Sequence, residues 1–290
     1  MTTPDGPNLA RDLDAGPFRA EPETRLPPAP VQRGANPSTL LGAAHPDRTF
    51  LPIPHLDIDG DPVWTTPVEP GYPAIELWTS LRDRYHETGL WPLIATTETC
   101  RDLGDIASIY TMPAGTSDYD ADSRDWLIDA LTRIQPRDDD NSFVPRDERD
   151  WSDAEFDRAR EHFRTFDSAD IWSVIGTGYD RIVLVPATRP WLVPGRLRWL
   201  GACNHGLGWR DHATILRRWY TLWHTELIAL DHDMMWLKHL QPMADRTAAT
   251  EAALETVLYC PDALDVGPGD GTLDRLAKAL LEPVWGLRWD

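Results

Sequence analysis

Lysine is almost missing from this sequence. Only Lys238 and Lys278 occur, so arginine carries nearly all the positive charge. The 28 lysines and arginines face 47 aspartates and glutamates, for a net charge of −19. A surface of that sign repels phosphate groups, so sequence-independent binding to nucleic acid is not expected. Cysteine is scarce as well. Cys100, Cys203 and Cys260 are too few, and odd in number, for a disulfide framework, and a reducing cytoplasm is the expected compartment. No apolar run comes near the ~20 residues of a membrane-spanning helix, so no membrane contact is expected. The opening MTTPDGPNLARDLDAGPFRA lacks the basic and apolar regions of a secretory signal. Gly-x-Ser-x-Gly, Gly-Lys-Ser/Thr and Gly-x-Gly-x-x-Gly are missing too. Neither a serine-hydrolase elbow nor a standard nucleotide loop has support.

What is present is tryptophan, 14 residues of it, in a chain that is 41% hydrophobic. That is ample core material for the one or two domains that 290 residues suggest. Residues 1–47 hold nine of the 26 prolines without sustained periodicity, and read as an extended or disordered arm. Residues 48–150 read as an acidic α+β half. Acidity concentrates there: residues 51–150 carry 21 acidic and 8 basic side chains, whereas residues 151–250 carry 12 of each.

In that first half the alternating Asp57, Asp59 and Asp61 lack the glutamate of a calcium loop and read as a turn into a strand, DPVWTT. Pro73 opens a helix with Ile75, Trp78, Leu81 and Tyr85 on one face, and Gly89 ends it. LWPLIAT reads as a buried strand, with Pro92 arguing for an edge or a bulge. SRDWLIDALTRI is an amphipathic helix capped by Asp122 or Ser123. Residues 136–150 read as an exposed loop or hinge.

Residues 151–290 read as a second α+β domain. A Ser152…Glu155 capping box starts a helix. Then come a strand from Arg181 to Pro186 and a helix capped by Asp211 with Ile215, Leu216, Trp219, Leu222 and Trp223 facing inward. TELIAL and MMWLKHL form a hairpin around Asp231–Asp233. Two helices follow, the second capped by Thr272, and VWGLRW is the last strand. The fold class is therefore α+β: helices packed on a mixed or mainly antiparallel sheet, the second half resembling a split βαβ unit with one extra helix.

The stretch LGACNHGLGWRDH, Leu200 to His212, concentrates potential chemistry. Cys203, His205 and His212 are candidate metal ligands, although no Cys-x-x-Cys or His-x-x-x-His pair frames them. Cys203 or Cys260 with His205 or His212 are candidates for a thiolate pair. Cys260, however, sits where a helix stops rather than where one starts, and gains no help from the dipole. The glycines of DVGPGDGTL, before a capped helix, could cradle phosphate, but Asp265 and Asp270 would repel it.

Several segments together resemble a bacterial family known as domain of unknown function 4253. They are TGLWPLI (Thr88–Ile94), LVPATRP with LRWLGACNH (Leu184–His205), LRRWYTLWHTELIALDHDMMWL (Leu216–Leu237), YCPD (Tyr259–Asp262) and PVWGLRWD (Pro283–Asp290). The similarity runs from about residue 181 to the end. The family lends no activity. The resemblance shifts weight from Cys203 and His205 to Trp199-x-Gly201-x-x-Asn204, Cys260-Pro261-Asp262 and Trp289-Asp290.

The expected function is that of a non-enzymatic binding or regulatory protein, neutralising a partner as immunity-type proteins do. Its expected pocket is lined by Trp199, Gly201, Asn204, Tyr259, Asp262 and Trp289, because polar tips among tryptophans suit a ligand or a peptide. No cofactor is implied, and the expected partner is another protein or a small ligand. Two alternatives stand beside it. One is a metal- or cysteine-dependent hydrolase-like enzyme using Cys203, His205, His212 and Asp262. The other is a structural component of an assembly, docked through residues 1–47.

Overall fold

In a computed structural model of the chain, residues 45–109, 122–133, 178–264 and 272–290 are described, together with Phe18, Thr39, Leu41, Glu161, Ile171 and Ile175. The acidic turn closes a hairpin between β1 (Leu51–Ile58) and β2 (Asp61–Pro67). Asp59 and Gly60 both take positive φ, 57° and 88°, the pairing that a tight two-residue hairpin turn requires. Pro73 lies in the first turn of α1 (Tyr72–Asp83); a one-turn α2 (Tyr85–Thr88) then ends at Gly89 in left-handed conformation. Next come β3 (Leu90–Ala95), α3 (Thr97–Ile109) and α4 (Ser123–Arg133).

The rest of the chain runs β4 (Arg181–Pro186), α5 (Val193–Arg196), α6 (Trp209–Trp223), β5 (Thr225–Leu230), β6 (Met234–His239), α7 (Arg246–Tyr259), α8 (Leu273–Ala279) and β7 (Val284–Arg288). The fold is α+β: among the described residues, eight helices pack on one seven-stranded sheet of order β1-β2-β4-β3-β5-β6-β7. Every neighbouring pair is antiparallel except β3 with β5. All six residues of β3 and of β5 are buried, so both faces of the sheet are covered at its centre.

β3 sits between β4 and β5, so a strand of the first half separates two strands of the second. β4 consequently runs opposite to β5, which departs from a split βαβ unit while keeping the expected order of elements. Pro92 lies in this central strand, opposite Leu184, and not at an edge or bulge. The β3–β5 seam tolerates it because it has a single bridge, Ile94 with Ala229. Along that seam two indoles act as hydrogen-bond donors: Trp78 Nε1 to the Pro92 carbonyl and Trp91 Nε1 to the Leu227 carbonyl, both at 2.9 Å. The two rings meet edge to face.

Helix α3 adds an element to those expected from the sequence. Thr96 starts it, its hydroxyl accepting from the Thr99 amide at 2.9 Å. Gly104 lets it lie close on β1, since a Cβ there would come within 3.0 Å of the Pro54 carbonyl oxygen. Helix α6 also begins earlier than expected. Gly208 is its N-cap, and Asp211, three residues on, accepts from the Gly208 amide at 2.7 Å. The second oxygen of Asp211 accepts from Trp126 Nε1 on α4 at 2.6 Å. Two residues of the N-terminal arm, Phe18 and Leu41, are buried in the core. The helix expected after Ser152, the hinge at 136–150 and the glycines of 265–271 lie outside the described residues.

Candidate functional site

Four separated segments meet at a cleft of about 420 Å³. Helix α3 contributes Thr99, Asp102, Leu103 and Ile106. The loop after α5 contributes Trp199, Leu200, Gly201, Cys203 and Asn204. The β5–β6 turn contributes Asp231, His232 and Asp233, and the chain after β7 contributes Trp289 and Asp290. The floor is apolar. Trp199 and Trp289 meet edge to face with centroids 5.4 Å apart, and both are nearly buried. Leu200 stands on the rim, 43% exposed.

The floor is tied to the turn. Trp199 Nε1 donates to the Asp231 carbonyl at 2.6 Å, and the Trp289 amide donates to the Asp233 carbonyl at 3.0 Å. Gly201 has no freedom to be anything else. A Cβ there would overlap the Trp199 indole and lie 2.6 Å from the His232 carbonyl oxygen. Asn204 is exposed; the Cys203 thiol lies 3.9 Å from its Oδ1. Thr99 Oγ1 donates to Asp231 Oδ1 at 2.6 Å, locking α3 onto the turn.

Tyr259 and Asp262 do not line the cleft; they hold its back wall. Three successive residues at the end of the chain bind the Tyr259–Asp262 segment. The Cys260 thiol donates to the Arg288 carbonyl at 3.1 Å. Trp289 Nε1 donates to the Tyr259 carbonyl at 3.2 Å, and the Asp290 amide donates to Asp262 Oδ2 at 2.8 Å. The YCPD and RWD signatures are thus two halves of one clamp. Pro261 starts a short 3-10 turn, which aims the Asp262 carboxylate.

The histidines and cysteines have separate surroundings. His205 Nε2 lies 2.9 Å from Asp262 Oδ2. His212 is buried behind the floor, packed on Trp199 and in hydrogen-bond contact with the Tyr259 hydroxyl through Nδ1. Burial lowers its pKa to about 4, with Asp211 opposing weakly. Burial raises the Cys260 thiol to about 12 and the Cys100 thiol to about 11. Cys203 alone among the three is exposed. Cys203, His205 and His212 are not brought together. Among the described residues, no three His, Cys, Asp or Glu side chains gather as metal ligands would.

The geometry assembles the tryptophan, glycine and cysteine-proline-aspartate signatures around one place, and the comparison with known families bears on the same stretch. Residues 181–290 match the family described as Domain of unknown function (DUF4253). The match covers the loop, the turn, the clamp and the terminal tryptophan of the cleft, while helix α3 lies outside it. The DUF4253 stretch also lacks β3, which completes its sheet. No curated protein and no solved structure matches the chain. No helix among the described residues is long and apolar enough to cross a membrane.

Sequence reasoning missed Thr99, Asp102, Leu103, Ile106 and the Asp231–Asp233 turn as parts of the site. A signal existed for α3. Cys100, Leu103 and Ala107 repeat at helical spacing after a threonine cap, but Gly104 interrupts the pattern.

Proposed function

We propose that this is a non-enzymatic binding protein of the cytoplasm, which holds a partner protein in the α3–Trp199–Trp289 cleft as immunity-type proteins hold the partner they neutralise. The observation that carries this reading is the cleft itself: an apolar floor fixed by hydrogen bonds to backbone carbonyls, ringed by polar groups that converge on one mouth. Preorganisation supports binding, because a rigid floor has little freedom to lose when occupied. The thiols give chemistry little purchase. Cys260 is consumed in the clamp, and Cys100 is buried against Thr65. The test is capture of partners from the native cell with the wild-type chain and with Leu200→Asp/Asn204→Ala. Both residues are exposed, so the variant should fold. A partner that is identified with the wild type and lost with the variant supports the reading. Identical captures would sink it.

One observation favours a cysteine-dependent hydrolase as the second reading: His205 is paired with Asp262 while Cys203 lies on the cleft wall. Replacement Cys203→Ser separates the two. A binding protein keeps its partner and its cellular effect, whereas a thiol hydrolase loses its effect and keeps the partner.

A further inference from the structure

The cleft has an unequal charge lining. Asp102, Asp231, Asp233 and Asp290 all face it, and among the described residues no arginine or lysine does. Among the described residues His232 is the one titratable nitrogen on its wall; it lies 3.9 Å from Asp102. Among the described residues, the cations paired with these carboxylates just outside, Arg101 and Arg288, are fewer than the carboxylates. Arg288 is shared between Asp233 at 3.1 Å and Asp290 at 3.9 Å. Arg101 approaches Asp102 at 3.7 Å while holding Glu98 at 3.0 Å. Asp231 holds Thr99 and the His232 amide, while Asp102, Asp233 and Asp290 share Arg101 and Arg288, so among the described residues the rim carries more negative charge than its neighbouring cations match.

We propose that the cleft takes a cationic side chain on an apolar stem, an arginine or lysine presented by a basic segment of a partner protein. This rests on the binding reading above and names the chemistry of the occupant. The stem would lie on Leu103, Ile106 and the tryptophan floor, and the charged head would reach the Asp102–Asp233–Asp290 rim. Long basic side chains bury their methylenes on apolar surface while keeping the head in a polar setting. The chain's net charge of −19 adds long-range attraction for a basic partner and speeds encounter.

The test is an array of random decapeptides matched in apolar content, with arginine or lysine in one half and glutamine in the other, probed with the full chain. Arginine- and lysine-bearing peptides should bind, and the double variant Asp102→Asn/Asp290→Asn should weaken the best of them by about tenfold. Its thermal midpoint should match the wild type. Raising salt from about 50 mM to about 500 mM should weaken wild-type binding more than variant binding. Glutamine peptides that bind equally well, with Leu200→Asp abolishing them, would overturn the cationic occupant and leave the cleft reading intact. Spermidine that binds and is lost in the double variant, with no peptide bound, would overturn the protein segment in favour of a free amine. Silence from every probe, together with identical captures by the Leu200→Asp/Asn204→Ala variant, would overturn both readings.

Discussion

Two groups of carboxylates lie on either side of the aromatic core, and they are handled in opposite ways. Glu255 on α7 is fully buried. Its Oε1 accepts from Arg218 Nε at 2.9 Å and Nη2 at 2.7 Å, and its Oε2 accepts from Trp219 Nε1 at 3.0 Å. Glu251 lies 3.8 Å from the same guanidinium, and Ser123 on α4 accepts from it at 3.5 Å. Burial pushes the Glu255 carboxyl above its ordinary value, and the Arg218 contacts pull it back. Asp102, Asp233 and Asp290 across the core stay part-exposed, with looser partners. Charge taken out of water is matched bond for bond, while charge left at a cleft mouth stays available. The first arrangement joins α4, α6 and α7; the second is the rim on which the proposed recognition rests.

Breaking the buried pair should have the largest effect. Glu255→Ala strands Arg218 inside the core and should cost about 3–5 kcal/mol in urea unfolding. A loss below about 1 kcal/mol would mean that the two carboxylate groups do not differ as described. Gly201→Ala comes next. The added Cβ must displace Trp199 or the Asp231–Asp233 turn, for an expected loss of about 1–3 kcal/mol and a quenching or shift of tryptophan fluorescence.

The third prediction uses pH. His212 and His239 are buried, and burial lowers their pKa values to about 4 and about 3 from 6.5. A lowered histidine leaves stability fully present above the unfolded value. As pH falls below 6.5, the unfolded chain binds a proton that the folded chain refuses, so stability falls until about 4 and about 3. Each histidine contributes a slope of about 1.4 kcal/mol per pH unit in that window. His239→Leu should flatten the slope of unfolding free energy between pH 6 and pH 4.5 by about one proton's worth. An unchanged slope would show that His239 is not held neutral. The smallest effect on stability belongs to the cleft. Asp102→Asn should change unfolding by no more than about 0.5 kcal/mol. A fourfold larger change would place that carboxylate with the structural group.

The elements of the chain's second half were legible because each has a local signature. The 3.6-residue period of Ile215, Leu216, Trp219 and Trp223 marks α6, and the TELIAL–DHD–MMWLKH alternation marks the β5–β6 hairpin. Helix α7 was legible too, although all its faces carry buried residues. Pro92 misled because proline usually avoids central strands. Here the seam beside it is held by the indoles of Trp78 and Trp91, whose placement depends on α1 and β3 packing together. For the site, Trp199, Gly201, Asn204 and Trp289 were legible as a cluster, but Tyr259 and Asp262 proved to be its support.

The sequence by itself determined most of the helices and strands of the second half, and that residues 181–290 resemble DUF4253. Periodicity and capping are local, so they survive without knowledge of the fold. The tertiary structure alone decided that β3 enters between β4 and β5, and that α3 faces the Asp231–Asp233 turn across a cleft. A buried face records that something covers it and leaves the covering partner unspecified. Segments more than a hundred residues apart, Thr99 and Asp231 among them, share a wall only because the sheet order puts their strands side by side.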